Sequence, residues 1–255
     1  MRVRGTQERW ARGRWAAALL TLAGTVGGVA QAQALNFSLS PTSFTLDTTR
    51  TLGGQTRLTN VSPEAAVFTV SVFGWVRSGT EDQLTPTRDV LVSPSRFVLQ
   101  PGGSQVVRVS VQRRPGPDEL TYRVLITQVL PEAGELPGED VRAQVRGLVQ
   151  LSLPVYVVPP TASPRVGYEV VRSADGKDLQ LRLSNSGNRS YLIKGLRVVA
   201  NGGPAGEAPG LPQSLLLFRG NTSVLPLGGF GAATGLRLSF LTPDGRTINE
   251  QIQVP

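Results

Sequence analysis

The 255-residue chain contains no cysteine, no histidine and one methionine. Without cysteine there is no disulfide, no thiol nucleophile and no thiolate metal ligand. Without histidine the usual general base and the usual zinc ligand are missing too. Two lysines are present, Lys177 and Lys194, and neither sits in a Ser-x-x-Lys arrangement. The aspartates and glutamates are scattered in turn-like contexts such as Ala174-Asp175-Gly176 and Pro243-Asp244-Gly245. No constellation for catalysis emerges, so the expectation is a protein without enzymatic activity, metal or cofactor. Long hydrophobic runs are scarce as well. One apolar stretch, "WAAALLTLAGTVGGVA", contains three glycines and falls short of the roughly 20 residues a membrane span needs.

That stretch follows Arg2, Arg4, Arg9, Arg12 and Arg14 and precedes Ala32-Gln33-Ala34. A basic start, an apolar middle and a small-residue cleavage site make a secretory signal peptide over residues 1–34. After its cleavage no membrane span is expected. Five of the 26 basic residues leave with it, so the net charge of +8 overstates the charge of the exported chain. The remaining basic residues are interspersed with acids, which argues against nucleic acid as a partner.

Beyond residue 34 nearly every segment alternates apolar and polar residues at period two, punctuated by Gly, Pro and Asn. That pattern predicts many short strands in β-sandwiches. No stretch keeps apolar residues at helical spacing without interruption. "VPPTASP" (158–164) stiffens a linker that no ladder can cross. The chain is therefore read as all-β, with sandwich domains over 35–158 and 159–255. Pro41 separates "LNFSL" from "SFTLD", where a strand must break or change partner. Phe97, Leu99 and Trp75 are expected in the core. "RLTNVSP" and "RLSNSGN" occupy parallel places in the two halves. Two related units, or the chance similarity of any all-β sequence, account for them equally.

One strand is unusually long. "DVRAQVRGLVQLSLPVYVV" (140–158) alternates from Val141 to Val157. Ordinary strands hold about 5–6 residues. Two readings fit: a long last strand whose inward residues are plain core, or an apolar edge kept for another chain. Exposed apolar edges are normally blunted because they template aggregation. One that is retained suits β-strand addition to a partner.

The stretch 60–131 carries a resemblance. In order it holds Asn60 at a strand end, Trp75 at the next, Leu84-Thr85-Pro86 and Ser93-Pro94. Phe97-Val98-Leu99, Pro101-Gly102, "QVVRV" at 105–109 and Tyr122-Arg123 follow, with Leu153-Pro154-Val155-Tyr156-Val157 closing the domain. This set resembles the bacterial periplasmic pilus-assembly chaperones, the PapD-like family, and in particular the branch serving spore-coat-U-type pilins. The resemblance implies two Ig-like sandwiches in an L-shaped arrangement and a periplasmic location. It also implies a partner: a pilin-like subunit with an incomplete sandwich, which receives the chaperone's last first-domain strand, with an outer-membrane usher as a further partner left open. The residues expected to enter the subunit are Val141, Ala143, Val145, Val149 and Leu151. The family anchors the subunit with an Arg in the first strand and a Lys in the last. Here Ser43 stands at the Arg position, and the Lys position falls near Ser152–Pro154. Arg123 is the expected substitute, since a guanidinium can fork onto carboxylate or backbone oxygens. The missing anchor keeps an alternative open: a structural or adhesive envelope protein built on the same two sandwiches.

Overall fold

The computed structural model describes residues 36–254 except 79–80, 133–147, 174–177 and 202–205. The predicted signal peptide and the expected donor residues Val141, Ala143 and Val145 lie outside the described residues. The described residues form seventeen strands and no helix, in two sandwiches with separate cores.

The first sandwich contains β1 (Phe37–Ser40), β2 (Phe44–Asp47), β3 (Gly53–Asn60), β4 (Ala66–Ser78) and β5 (Glu81–Pro86). It continues with β6 (Val90–Ser93), β7 (Arg96–Leu99), β8 (Ser104–Val111), β9 (Leu120–Val129) and β10 (Gln150–Val158). One sheet runs β1-β3-β8-β6; the other runs β2-β10-β9-β4-β5, with β7 also on β4. The alternation foreseen in the sequence becomes inward faces. Leu58, Phe68, Val107, Val124, Ile126, Leu153, Val155 and Val157 all close on one core and are fully buried. Phe97 and Leu99 join it, as expected. Pro41 separates two strands that belong to different sheets. β1 pairs antiparallel with β3, whereas β2 pairs parallel with β10.

The second sandwich contains β11 (Val166–Arg172), β12 (Leu179–Asn185), β13 (Tyr191–Asn201), β14 (Ser214–Leu217), β15 (Thr222–Leu227), β16 (Gly235–Leu241) and β17 (Thr247–Gln253). Its sheets run β11-β12-β15 and β14-β13-β16-β17. They reproduce β1-β3-β8 and β7-β4-β9-β10 strand for strand, without counterparts of β2, β5 and β6 among the described residues.

The two sandwiches also share a corner. Asn60 ends β3, and its Nδ2 donates to Glu64 O at 2.7 Å and Leu99 O at 3.1 Å. Asn185 ends β12, and its Nδ2 donates to Arg189 O at 2.8 Å and Leu217 O at 3.1 Å. Each Asn backbone carbonyl accepts from a glycine three residues beyond that leucine, Gly102 or Gly220. Those glycines have φ of 70° and 71°, the left-handed region that a side chain would strain. The matching bonds establish the paired "RLTN" and "RLSN" segments as one structural device used twice. Because each amide satisfies two carbonyls at a buried site, Asn60→Ala and Asn185→Ala are each expected to cost about 1–3 kcal/mol. Urea unfolding of the two variants against the parent measures this.

Candidate partner-binding edge and inter-sandwich cleft

β10 is half covered along one side. β9 pairs with it from Gln150 to Val157. On the other side β2 reaches only Val155–Val158. Gln150–Pro154 therefore has no neighbour on that edge among the described residues. Strand geometry decides what the edge presents, since successive residues send their backbone polar groups to opposite sides. Val149 O accepts from Gln128 N on the β9 side at 2.8 Å, and Val158 O accepts from Thr48 N on the β2 side. Odd-numbered residues thus face β9, and Gln150 and Ser152 direct their N–H and C=O groups to the open edge. The side chains alternate as well. Leu153, Val155 and Val157 are buried, Leu151 packs partly against the same core and Val149 is half-buried.

Of the five expected donor residues, Val149 and Leu151 are described and share the inward parity of this edge. The part of the expected strand over 141–147 lies outside the described residues, and the described strand begins at Gln150. Val149 precedes it, held by the Gln128 bond and by its own N–H to Gln128 Oε1 at 3.3 Å.

Arg123 lies on the outer face of the same sheet, directly across from Pro154 in β10 and Phe73 in β4. Its guanidinium carbon stands 3.6 Å from the Trp75 ring centroid. Nη1 donates to Ser152 Oγ at 3.3 Å, and Nη2 lies 3.7 Å from Asp82 Oδ2. Asp82 is shared, because Arg77 also bonds it at 2.6 Å. Two guanidiniums thus meet one carboxylate, leaving a net positive cluster beside the open edge. Burial pulls the Arg123 pKa down, opposed by Asp82. Tyr156, on the same face, is pushed up to about 12, chiefly by burial.

Trp75 is buried, as expected, though outside the cluster of the first core. It leaves the core to the opposite face of β4 and packs edge-on against Phe218 of the second sandwich, with centroids 4.5 Å apart. Arg77 stands over Phe218 and donates to Leu216 O at 3.2 Å. Nearby, Glu119 Oε2 accepts from Ser190 N at 2.8 Å, Asn188 Nδ2 donates to Pro117 O, and Arg219 pairs with Asp118 at 2.9 Å. None of these inter-sandwich contacts was read from the sequence. Their partners lie 71 to 143 residues apart, and no periodicity links them. A cavity of about 720 Å³ also opens between the sandwiches. Ser43 lines it with Tyr156, and Arg189 and Arg246 contribute from the second domain. The cations that share a cavity with Ser43 therefore come from the other sandwich.

Residues 36–163 match the family model described as pili and flagellar-assembly chaperone, PapD N-terminal domain. No match was found among curated protein sequences. Solved structures share the fold. A chain of the CsuC–CsuE chaperone–tip adhesion subunit pre-assembly complex, from archaic chaperone-usher Csu pili of Acinetobacter baumannii, aligns with a TM-score of 0.61 at 15% identity, covering 86% of this chain and 99% of that one. The E. coli chaperone DraB aligns with a TM-score of 0.56 at 18% identity, covering 87% and 96%. A chain of the Salmonella enterica SafA pilin–SafB chaperone complex gives 0.56 at 15%, covering 86% and 96%.

Glu119 supplies a test of the inter-sandwich contact. It is 4% exposed, and burial raises its pKa above the ordinary 4.5, opposed by the Ser190 bonds, Arg189 and Arg219. A raised folded value means the stabilising contribution is present below the unfolded pKa and is lost as pH rises through the folded one. Glu119→Gln keeps an acceptor for Ser190 N while removing the charge. It is expected to be more stable than the parent at pH 7, with the difference vanishing below about pH 4. Urea titrations at both pH values check this.

Proposed function

The chain belongs to the family of pili and flagellar-assembly chaperones, which are not enzymes, and from that premise we propose that it is a periplasmic chaperone for pilin-like subunits. The subunit is an Ig-like sandwich lacking a strand, and this chain lends it β10 together with the residues just before it. The observation that carries the reading is the edge at Gln150–Pro154. Among the described residues it has a partner on one side only, and its inward side chains are apolar. Backbone bonds along the edge set the pairing, and alternate side chains fill the slot. Val141, Ala143, Val145, Val149 and Leu151 are the inserting row. Each Val or Leu fully buried in a subunit contributes roughly 1.5–3 kcal/mol. The signal peptide accounts for the export the task requires.

Arg123 is the proposed anchor for a subunit oxygen. Its position across from Pro154 and its bond to Ser152 Oγ support this, since both residues fall where the family's lysine would stand. Stacking on Trp75 and the pull of Asp82 hold the guanidinium in place before a subunit arrives. A preset donor loses less side-chain entropy on binding.

Two substitution experiments follow. Val145→Glu with Val149→Glu places charges in the inserting row and is expected to abolish co-purification of a subunit from the periplasm while the fold survives by circular dichroism. Undiminished recovery would overturn strand donation and favour the structural envelope reading. Arg123→Ala is expected to weaken capture by about tenfold or more, the worth of a hydrogen bond to a charged group. Competition pull-down against the parent chain reads it out.

A further inference from the structure

Pro154 occupies the place on β10 where the open edge meets β2, and it has no N–H. Its polar groups point away from β9, by the same parity that directs Val158 O to Thr48 N and Val149 O to Gln128 N. On that side β2 begins at the next residue, Phe44 opposite Val155. An ordinary residue at 154 would hold a donor out beside the entering end of β2. Proline has none to offer. The open edge therefore carries complete donor and acceptor pairs at Gln150 and Ser152, and then stops.

We infer that Pro154 fixes the register of the bound subunit strand by ending its ladder at Ser152. The inference rests on the strand-donation reading and adds what determines where the guest stops. The packing order supports it. β2 turns in from Ser43 and fills the edge from Val155 onward, so a guest strand meets both a physical neighbour and a missing donor at one point. A strand slipped by one residue would turn its side chains to the wrong face. A slip of two keeps the faces and is opposed by the Arg123 anchor, by β2 at Val155 and by the end of the ladder. The proline supplies that end, and the inserting row alone does not. The side chain at 154 is half-buried on the outer face across from Arg123, so a small replacement fits without disturbing the core.

The test uses the full exported chain and the subunit it captures in the periplasm, with residue-resolved hydrogen exchange on the isolated complex. In the parent complex the Gln150 and Ser152 amides are expected to be protected relative to the free protein. In the Pro154→Ala complex the new amide at 154 is expected to become protected too, as the guest advances along the restored ladder. Ser152→Pro moves the stop in the other direction and is expected to weaken capture about fivefold, the worth of one backbone hydrogen bond. Capture with protected Gln150 and Ser152, but with residue 154 of the alanine variant exchanging as fast as in the free chain, would overturn the role of Pro154 and leave strand donation standing. Capture without protection at Gln150 and Ser152, or no capture at all, would overturn strand donation itself, and the register device with it.

Discussion

A β-strand carries hydrogen-bonding groups along two edges, and both must be satisfied or left to water. In β10 one edge is complete and the other, among the described residues, is filled over only part of its length. The cause is the chain's passage at Pro41. β1 stays with the opposite sheet, β2 joins β10 late, and the residues between them cross from one sheet to the other. Had the first strand run straight along β10, the edge would be closed and the apolar row beside it would be ordinary core. The surrounding architecture positions this one vacancy: the buried face of Leu153, Val155 and Val157 below it, the Arg123 cluster above it and β2 at its end.

The second sandwich provides an internal comparison. β17 stands where β10 stands, at the end of an equivalent row of strands, and among the described residues it pairs with β16 alone. Its sequence, "TINEQIQ", is largely polar and exposed. Glu250 shares the parity of Ile248 and Ile252, which pack against the second core. A charge on the inward side is one of the ways natural sheets discourage pairing with foreign strands. β10 has no such residue in Gln150–Val158; its inward positions are leucine and valine. One fold thus presents two similar edges, one blunted and one left receptive. The difference lies in side chains rather than in topology.

The contact between the sandwiches gives the receptive edge its setting. Trp75 joins the two domains through Phe218 and carries Arg123 on its ring, so the proposed anchor is held by the same residue that ties the domains together. Arg77 completes the link, reaching Asp82 on one side and Leu216 O on the other. Burial penalises the charged Arg123, which has a single carboxylate nearby to neutralise it. Stacking and shared hydrogen bonding offset part of the desolvation that isolated charges would suffer.

Period-two alternation was enough to read the strands, the two cores and the break at Pro41, because which face of a strand is buried is a local property of its residues. The paired Asn60 and Asn185 were visible too, although only their matching bonds showed that they do the same work. The apolar row from Val149 to Val157 was equally legible, whereas Arg123 became a candidate only through the family resemblance. What alternation could not determine is whether an edge has a neighbour. That depends on where a distant segment, here Phe44–Asp47, comes to rest. The same limit applies to Trp75, whose burial followed from its size, but whose partner, Phe218, lies 143 residues away and was chosen by domain packing. Sequence fixes each strand's faces through side-chain chemistry; only tertiary structure assigns its edges, because backbone hydrogen-bonding groups are nearly identical at every residue and carry no address of their own.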